Sequence, residues 1–291
     1  MKVHHLNCGT MCPAGGRLLD GFTPGVGTAR LVCHCLLVET AHGLVLIDTG
    51  TSLREVRRSD ERIAPFFKNI CRPLLKPAEA AYNQLKVLGY DPADVRHIVV
   101  THLDFDHAGA LEDFPNAMIH IHAAELEFAN SASGFINSRR YRPEQWAFKP
   151  NWLTYTESGE RWFGFERVRQ LEGLPPEILM VPLVGHTWGH CGVAVRSDRG
   201  WLFLAGDAYF YRREVRPDNP RCTPGLRAYQ RMMEVDREKR LWNQRRLRRL
   251  VANHRGEIQV FSSHDAIEFE ALFALSLQGP MTNAHTRNKT A

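Results

Sequence analysis

Five segments of this chain that read as β-strands stop on an acid or a histidine: Asp48, the run His102 to His107, His186, Asp207 and His264. Loops at strand ends are where a rigid scaffold places reactive groups. The strand bodies before them are apolar and β-branched: Ala29 to Val38, Gly43 to Asp48, Val95 to Val100, Ala117 to His122, Ile178 to Leu183, Cys191 to Ser197, Trp201 to Leu204 and Ile258 to Phe261. Helical segments alternate with them. Residues 51–90 read as mostly helical, with Ala80, Ala81, Leu85 and Leu88 near one face of Lys76 to Leu88 and Gly89 as its stop. Ala123 to Asn130 reads as a helix, and a long Arg-rich helix is expected over about 224–254. Residues 131–175 hold many Trp, Phe, Arg and Pro with little periodicity, and read as an insertion that packs over something. No Pro/Gly/Ser-rich linker divides the chain. The expectation is one α/β domain over 1–291, built as two β-then-α halves with insertions at about 51–90 and 131–175.

Composition bounds the partners. With 44% hydrophobic and 24% charged residues the chain is globular rather than disordered. A formal charge of +5 only weakly suggests an anionic partner. No apolar run approaches the roughly 20 residues that span a bilayer, and the start Met1-Lys2-Val3-His4-His5 lacks a signal-peptide core. A cytoplasmic location is therefore expected. The seven Cys form no paired CxxC knuckles and read as reduced thiols. Cys33-His34-Cys35 lies within an apolar strand, where Cys is a small packing residue.

His and Asp at close spacing supply the nitrogen and oxygen donors that a borderline or hard divalent metal takes. His102, Asp104, Asp106 and His107 fall within six positions. An extended stretch followed by a turn can aim the first two at one point and the last two at another. His190 follows His186 by four and reads as a supporting group. His120 and His122 share a strand face and read as structural; His4, His5 and His34 stay unassigned.

These residues resemble the metallo-β-lactamase superfamily along nearly the whole chain. Asp48 matches its first acidic motif, and His102-Leu103-Asp104-Phe105-Asp106-His107 matches HxHxDH. Gly185-His186-Thr187-Trp188-Gly189-His190 resembles GHTPGH, Gly206-Asp207 the bridging acid, and Ser263-His264-Asp265 the last His. The layout is most similar to the lactonase-like branch, which includes acyl-homoserine-lactone lactonases. The resemblance implies a four-layer αβ/βα sandwich with two divalent ions, Zn by default, at one edge. It implies that His102, Asp104 and His186 hold one ion and that Asp106, His107 and His264 hold the other. Asp207 would bridge them, and Asp48 would orient a ligand from behind. The activity implied is hydrolysis of a small lactone or ester by a metal-activated water, with Asp106 shuttling the proton.

Two departures stand out. The second His of HxHxDH is Asp104 here, a harder ligand that admits Mn or Fe and adds a negative charge to the site. Many lactonases carry a Tyr three residues after the bridging acid; here that position is Phe210, with Tyr209 and Tyr211 on either side as candidate donors. The aromatics Trp146, Phe148, Trp152, Trp162, Phe163 and Phe165 are expected either to wall a substrate pocket or to form a cap or homodimer contact. Arg139, Arg140 and Arg142 read as a solvated face, with an anionic substrate group as the alternative partner. Arg237, Lys239, Arg240, Arg245, Arg246, Arg248 and Arg249 raise a phosphodiesterase or nuclease alternative. However, Leu241, Trp242, Leu247, Leu250 and Val251 make that helix amphipathic without a ligand, so no nucleic acid is expected. Cys191 opens an apolar strand and reads as packing, and no GxSxG elbow exists. A thioesterase, an iron-dependent redox enzyme and a non-catalytic metal or metabolite sensor are the remaining alternatives.

Overall fold

A computed structural model describes residues 1–156 and 158–278; the remainder of the expected 1–291 domain lies outside the described residues. Two six-stranded sheets face each other. The first runs β1 (Val3–Met11), β2 (Leu31–Thr40), β3 (Gly43–Ile47), β4 (Val95–Val99), β5 (Met118–His122) and β6 (Asn151–Tyr155) in spatial order. The second holds β7 (Glu160–Trp162), β8 (Phe165–Gln170), β9 (Ile178–Pro182), β10 (Cys191–Ser197), β11 (Gly200–Leu204) and β12 (Ile258–Phe261), again neighbour to neighbour. Helices are α1 (Arg17–Asp20), α2 (Leu53–Arg62), α3 (Pro65–Cys71), α4 (Ala81–Val87), α5 (Phe105–Ala108), α6 (Ala123–Asn130), α7 (Gly134–Arg140), α8 (Pro224–Met233), α9 (Arg237–Asn253) and α10 (Ala266–Ser276).

Alternation along the strands builds the layers. Leu36, Val38, Val45, Ile47 and Val99 of the first sheet meet Met180, Val193, Val195, Leu204 and Phe261 of the second. Their neighbours Leu37, Leu44, Leu46, Ile98 and Ile119 face the other way, onto Ala81 and Leu85 of α4. On the far side Val181, Phe203 and Val260 pack on Leu247 and Leu250 of α9. This is the four-layer arrangement the resemblance implies. β2 is buried along Leu31 to Val38 because both of its faces are covered, which explains its unbroken apolar run. Truncating Leu36 there to Ala would cost about 2–5 kcal/mol.

Three expectations change. β1 is a strand absent from the sequence reading. Its Val-His-His-Leu-Asn-Cys-Gly-Thr-Met shows no clean alternation because polar side chains are satisfied inside. His5 Nδ1 lies 2.8 Å from His34 Nε2, and Asn7 Oδ1 accepts the Cys33 N–H at 3.1 Å, beside an irregularity in the β1–β2 register between Asn7 and Thr10. Residues 131–175 supply β6, β7 and β8, the outer strands of both sheets. Trp146, Phe148 and Trp152 pack on one core and Trp162, Phe163 and Phe165 on another. Finally, the 224–254 segment is two helices. The break comes where the N–H groups of Val235 and Asp236 donate to Gly185 O at 2.9 and 3.0 Å, and Asp236 caps α9 by accepting from Lys239 N at 3.0 Å. Several arginines of α9 are committed internally: Arg240 to Glu234 at 2.5 Å, Arg248 to Glu214 O at 2.8 Å, and Arg246 over the Phe165 ring at 4.1 Å. No helix among the described residues is long and apolar enough to cross a membrane.

Candidate metal centre

The parallel strands β3, β4 and β5 deliver their C-terminal ends to one edge, and β9, β11 and β12 bring theirs to meet them. Asp48 follows β3 with φ 55°, a strained value for a residue with a side chain. Gly50 beside it has φ 67°, and a Cβ there would lie 2.1 Å from Cys8 O, so the turn demands glycine. Strain is held because Asp48 is fully engaged. Its Oδ1 accepts Thr101 N–H at 2.7 Å, and Oδ2 accepts Thr101 Oγ1 at 2.9 Å and His107 Nδ1 at 2.8 Å. Holding Nδ1 turns the His107 Nε2 lone pair inward. His264 is aimed the same way by donating Nδ1–H to Val32 O at 2.7 Å.

Two donor groups result. His102, Asp104, His186 and Asp207 form one and Asp106, His107 and His264 the other, all buried, with candidate ligand atoms within 4.8 Å of one another in each. The Asp207 carboxylate stands between them. Its Oδ2 is 3.3 Å from His186 Nε2 and 3.8 Å from His102 Nε2; its Oδ1 is 3.2 Å from His107 Nε2 and 3.0 Å from His264 Nε2. Asp106 Oδ2 lies 3.8 and 3.6 Å from His107 and His264 Nε2. His190 stays outside both groups: it donates Nδ1–H to Leu183 O at 3.0 Å and accepts the Asp207 N–H on Nε2 at 2.9 Å, so it fixes the backbone of Asp207.

Electrostatics follow from burial and neighbours. Burial pushes Asp207 up, but His264, His107 and His186 outweigh it and hold the carboxyl well below its usual range. Burial likewise opposes ionisation of Asp104, and Arg140 overcomes it. Burial and then the neighbouring His107 hold His102 well below the ordinary imidazole value, so it stays a neutral donor. Burial and then His186 take His190 down to about 3.

Sequence reasoning missed the roles of four residues here. Arg140, read as part of a solvated face, is only 3% exposed and pairs with both oxygens of Asp104, so it cancels the charge Asp104 adds. Glu125 is wholly buried on α6: Oε1 accepts Leu103 N–H at 3.0 Å and the Tyr141 hydroxyl at 3.2 Å, while Oε2 accepts Gly189 N–H at 3.2 Å and the Thr187 hydroxyl. It thereby ties the loop that holds His102 to the loop that holds His186. A Cβ on Gly189 would fall 2.2 Å from Glu125 N, so this approach requires glycine. Phe210 stacks on His264 with ring centres 5.0 Å apart and planes 17° apart. Tyr229 packs edge-on against Phe210 at 5.6 Å, and its hydroxyl is 3.9 Å from Cys71 Sγ. Position 210 itself drew attention to the first of these two aromatics; nothing local signalled Tyr229.

The flanking tyrosines go elsewhere. Tyr209 donates to Glu268 at 3.1 Å, and the Tyr211 ring packs against Gly21. Neither lines the apolar cavity of about 300 Å³ beside His264, whose walls include Met11, Leu19, Leu31, Ile70, Leu226 and Met232 with Phe210 and Tyr229. The aromatics of 131–175 are not among its walls either. His120, which accepts or donates to Tyr155 Oη at 2.8 Å, and His122, which caps α6 by accepting from Ala124 N at 3.3 Å, are structural.

The family model described as the metallo-beta-lactamase superfamily matches residues 28–264. A probable metallo-hydrolase of Mycobacterium tuberculosis is 38% identical over 265 residues, covering 91% of this chain and 80% of that protein. An N-acyl homoserine lactonase of Bacillus thuringiensis is 34% identical over 218 residues, covering 72% and 78%. Among solved structures, an N-acyl homoserine lactone hydrolase with the product N-hexanoyl-L-homoserine bound at its catalytic metal center matches with TM-score 0.69 and 22% identity, over 93% of this chain and 95% of that one. With a family match that takes in every strand-end donor from Asp48 to His264, the chain belongs to the metallo-beta-lactamase superfamily.

Proposed function

We propose that this metallo-hydrolase opens a small lactone or ester that carries an apolar tail, with two divalent ions, Zn by donor chemistry, at the two donor groups. The observation that carries this reading is the meeting of buried His/Asp donors and an apolar cavity at His264. Imidazole nitrogen and carboxylate oxygen are the donors Zn takes, at about 2.0–2.2 Å. His102 Nε2 and Asp207 Oδ1 are buried without a hydrogen-bond partner among the described residues, and a cation would satisfy both. Mn or Fe is the alternative that the Asp104 carboxylate admits. Bound there, the ions would supply Lewis acidity and a water nucleophile near neutral pH.

The chain's own residues divide the remaining work. Leu19, Leu31, Leu226 and Met232 hold the tail and exclude water from it. Asp106, at 8% the most exposed of the seven donors, takes and returns the proton that ester cleavage moves. Tyr229, which lines the cavity, takes the hydroxyl-donor role in place of Tyr209 or Tyr211. Asp48, His190 and Glu125 keep the donors oriented. The lactonase name of the Bacillus relative supports a cyclic ester, and an amide-bearing acyl chain would suit the cavity. The cysteines, all free thiols, support a reducing, cytoplasmic setting. Metal-loaded protein assayed on lactones and esters of graded chain length should hydrolyse them, lose turnover on chelation and regain it with Zn. Absence of chelator-sensitive hydrolysis across the panel would sink the proposal.

A further inference from the structure

Arg140 ends α7, and its guanidinium enters the first donor group from the side. Nε and Nη2 donate to the two oxygens of Asp104, Nη2 reaching Oδ2 at 2.8 Å. The same Nη2 lies 2.5 Å from His186 Nε2. Nη1 donates to Met233 O at 3.0 Å and to His186 O at 3.4 Å. Asp104 Oδ2 and His186 Nε2 are themselves 3.1 Å apart, so Nη2 stands at the two atoms from which a cation in this group would draw its bonds. A guanidinium does not give up its charge in proteins.

Among the described residues the second group has no such neighbour. There the outer nitrogens of His107 and His264 are held by Asp48 and Val32 O, which presents both Nε2 atoms to Asp207 Oδ1. In the first group the outer nitrogen of His186 has no partner among the described residues, so that ring is less firmly set.

We propose that Arg140 is a resident cation of the first donor group and makes it the weaker of the two metal positions. The group of Asp106, His107 and His264 fills first; the group of His102, Asp104 and His186 fills only as Arg140 Nη2 leaves His186. Like charge and competition for the same lone pairs both act in this direction. The inference rests on the reading that both groups hold divalent ions.

The test is a stepwise titration of the metal-free full chain with chelator-buffered Zn, with bound metal counted by mass spectrometry and Co absorption as a site reporter. The wild type should bind in two steps at least about tenfold apart, and His264→Ala should abolish the tighter step. Arg140→Gln should tighten the weaker step at least about tenfold and leave the tighter one in place. Two ions filling the wild type in one unresolved step would overturn the proposal, as would a weaker second step in Arg140→Gln, which would make the arginine a support for Asp104. If Arg140→Gln does not fold, the wild-type and His264→Ala titrations still decide. A wild type that binds no ion at all would remove the metal reading itself, a result distinct from two equal sites.

Discussion

Glu125→Ala is expected to be among the most damaging single changes at the centre. Four donors converge on this carboxylate: the backbone N–H groups of Leu103 and Gly189, and the hydroxyls of Tyr141 and Thr187. The hydroxyls can turn toward other acceptors, but the two N–H groups cannot. Each buried N–H left unpaired costs about 1–3 kcal/mol, and the void left by the carboxyl group adds to this. The loss of an ionisable group that burial pushes toward its neutral form offsets part of the cost. The sum is roughly 3–5 kcal/mol, a large share of the roughly 5–15 kcal/mol that typically holds a domain together. Glu125→Gln keeps one acceptor oxygen and turns an amide NH2 toward the other pair of donors, so about 1–3 kcal/mol is expected. Urea unfolding followed by tryptophan fluorescence, with and without chelator, measures both. Leu103 sits between His102 and Asp104 and Gly189 between His186 and His190, so the alanine variant should also lose metal at the first donor group before the second. An alanine variant within about 1 kcal/mol of wild type, with unchanged metal content, would refute the clamp.

Leu226→Trp should fill the cavity beside His264, raising KM for long-chain substrates by about tenfold or more while sparing short ones, because a full apolar side chain of tail burial is lost; equal effects on both would separate the cavity from substrate binding. Glu268 is lifted from 4.5 to about 8, chiefly by burial and next by Asp265. The native state therefore keeps a proton that the unfolded chain releases between those values, and stability falls as pH rises through that window. Glu268→Gln should flatten that slope, gaining on the order of a few kcal/mol over wild type at pH 8 and little near pH 5; parallel stability curves would show the shift is absent. Asp104→His should destabilise by about 3–5 kcal/mol because Arg140 is left as an unpaired buried cation, and adding Arg140→Met should recover much of it. A single variant as stable as wild type by urea unfolding would show that the pair is not coupled.

What the sequence made legible was governed by period and by spacing. Buried central strands such as β2 and β4 announce themselves as apolar runs, and the strand-end donors follow them directly. The first and last residues of the donor set, His102 and His264, lie 162 positions apart, yet each sits at the end of a readable strand, and Asp207 at the end of β11 lies between them. β1 was not legible because an internal His5–His34 contact and the Asn7 side chain absorb polarity that would normally face water. The elbow between α8 and α9 was hidden for a related reason: helical periodicity passes through Glu234–Asp236, and only the Gly185 carbonyl, supplied from a distant loop, breaks it. Tyr209 and Tyr211 drew attention by position alone. Their direction was set by Glu268 and Gly21, partners that no local pattern reveals.

The same limit governs Asp104 and shapes the chemistry of the centre. Taken alone, an aspartate in place of a histidine adds a negative charge to the site. With Arg140 on both of its oxygens, the added charge is cancelled, and the pair contributes no more net charge than a neutral imidazole would. The two arrangements still differ. An imidazole offers a free lone pair, whereas this carboxylate offers oxygens already engaged by a cation that also reaches His186. The substitution thus leaves the field of the site nearly unchanged and alters access to one half of it. Asp207 spans both halves through its two oxygens, so any movement of Arg140 at the first group reaches the His107 and His264 side through a single carboxylate. The asymmetry of the centre is therefore a property of α7, the short helix that ends in Arg140 and lies in a stretch of the chain with little periodicity.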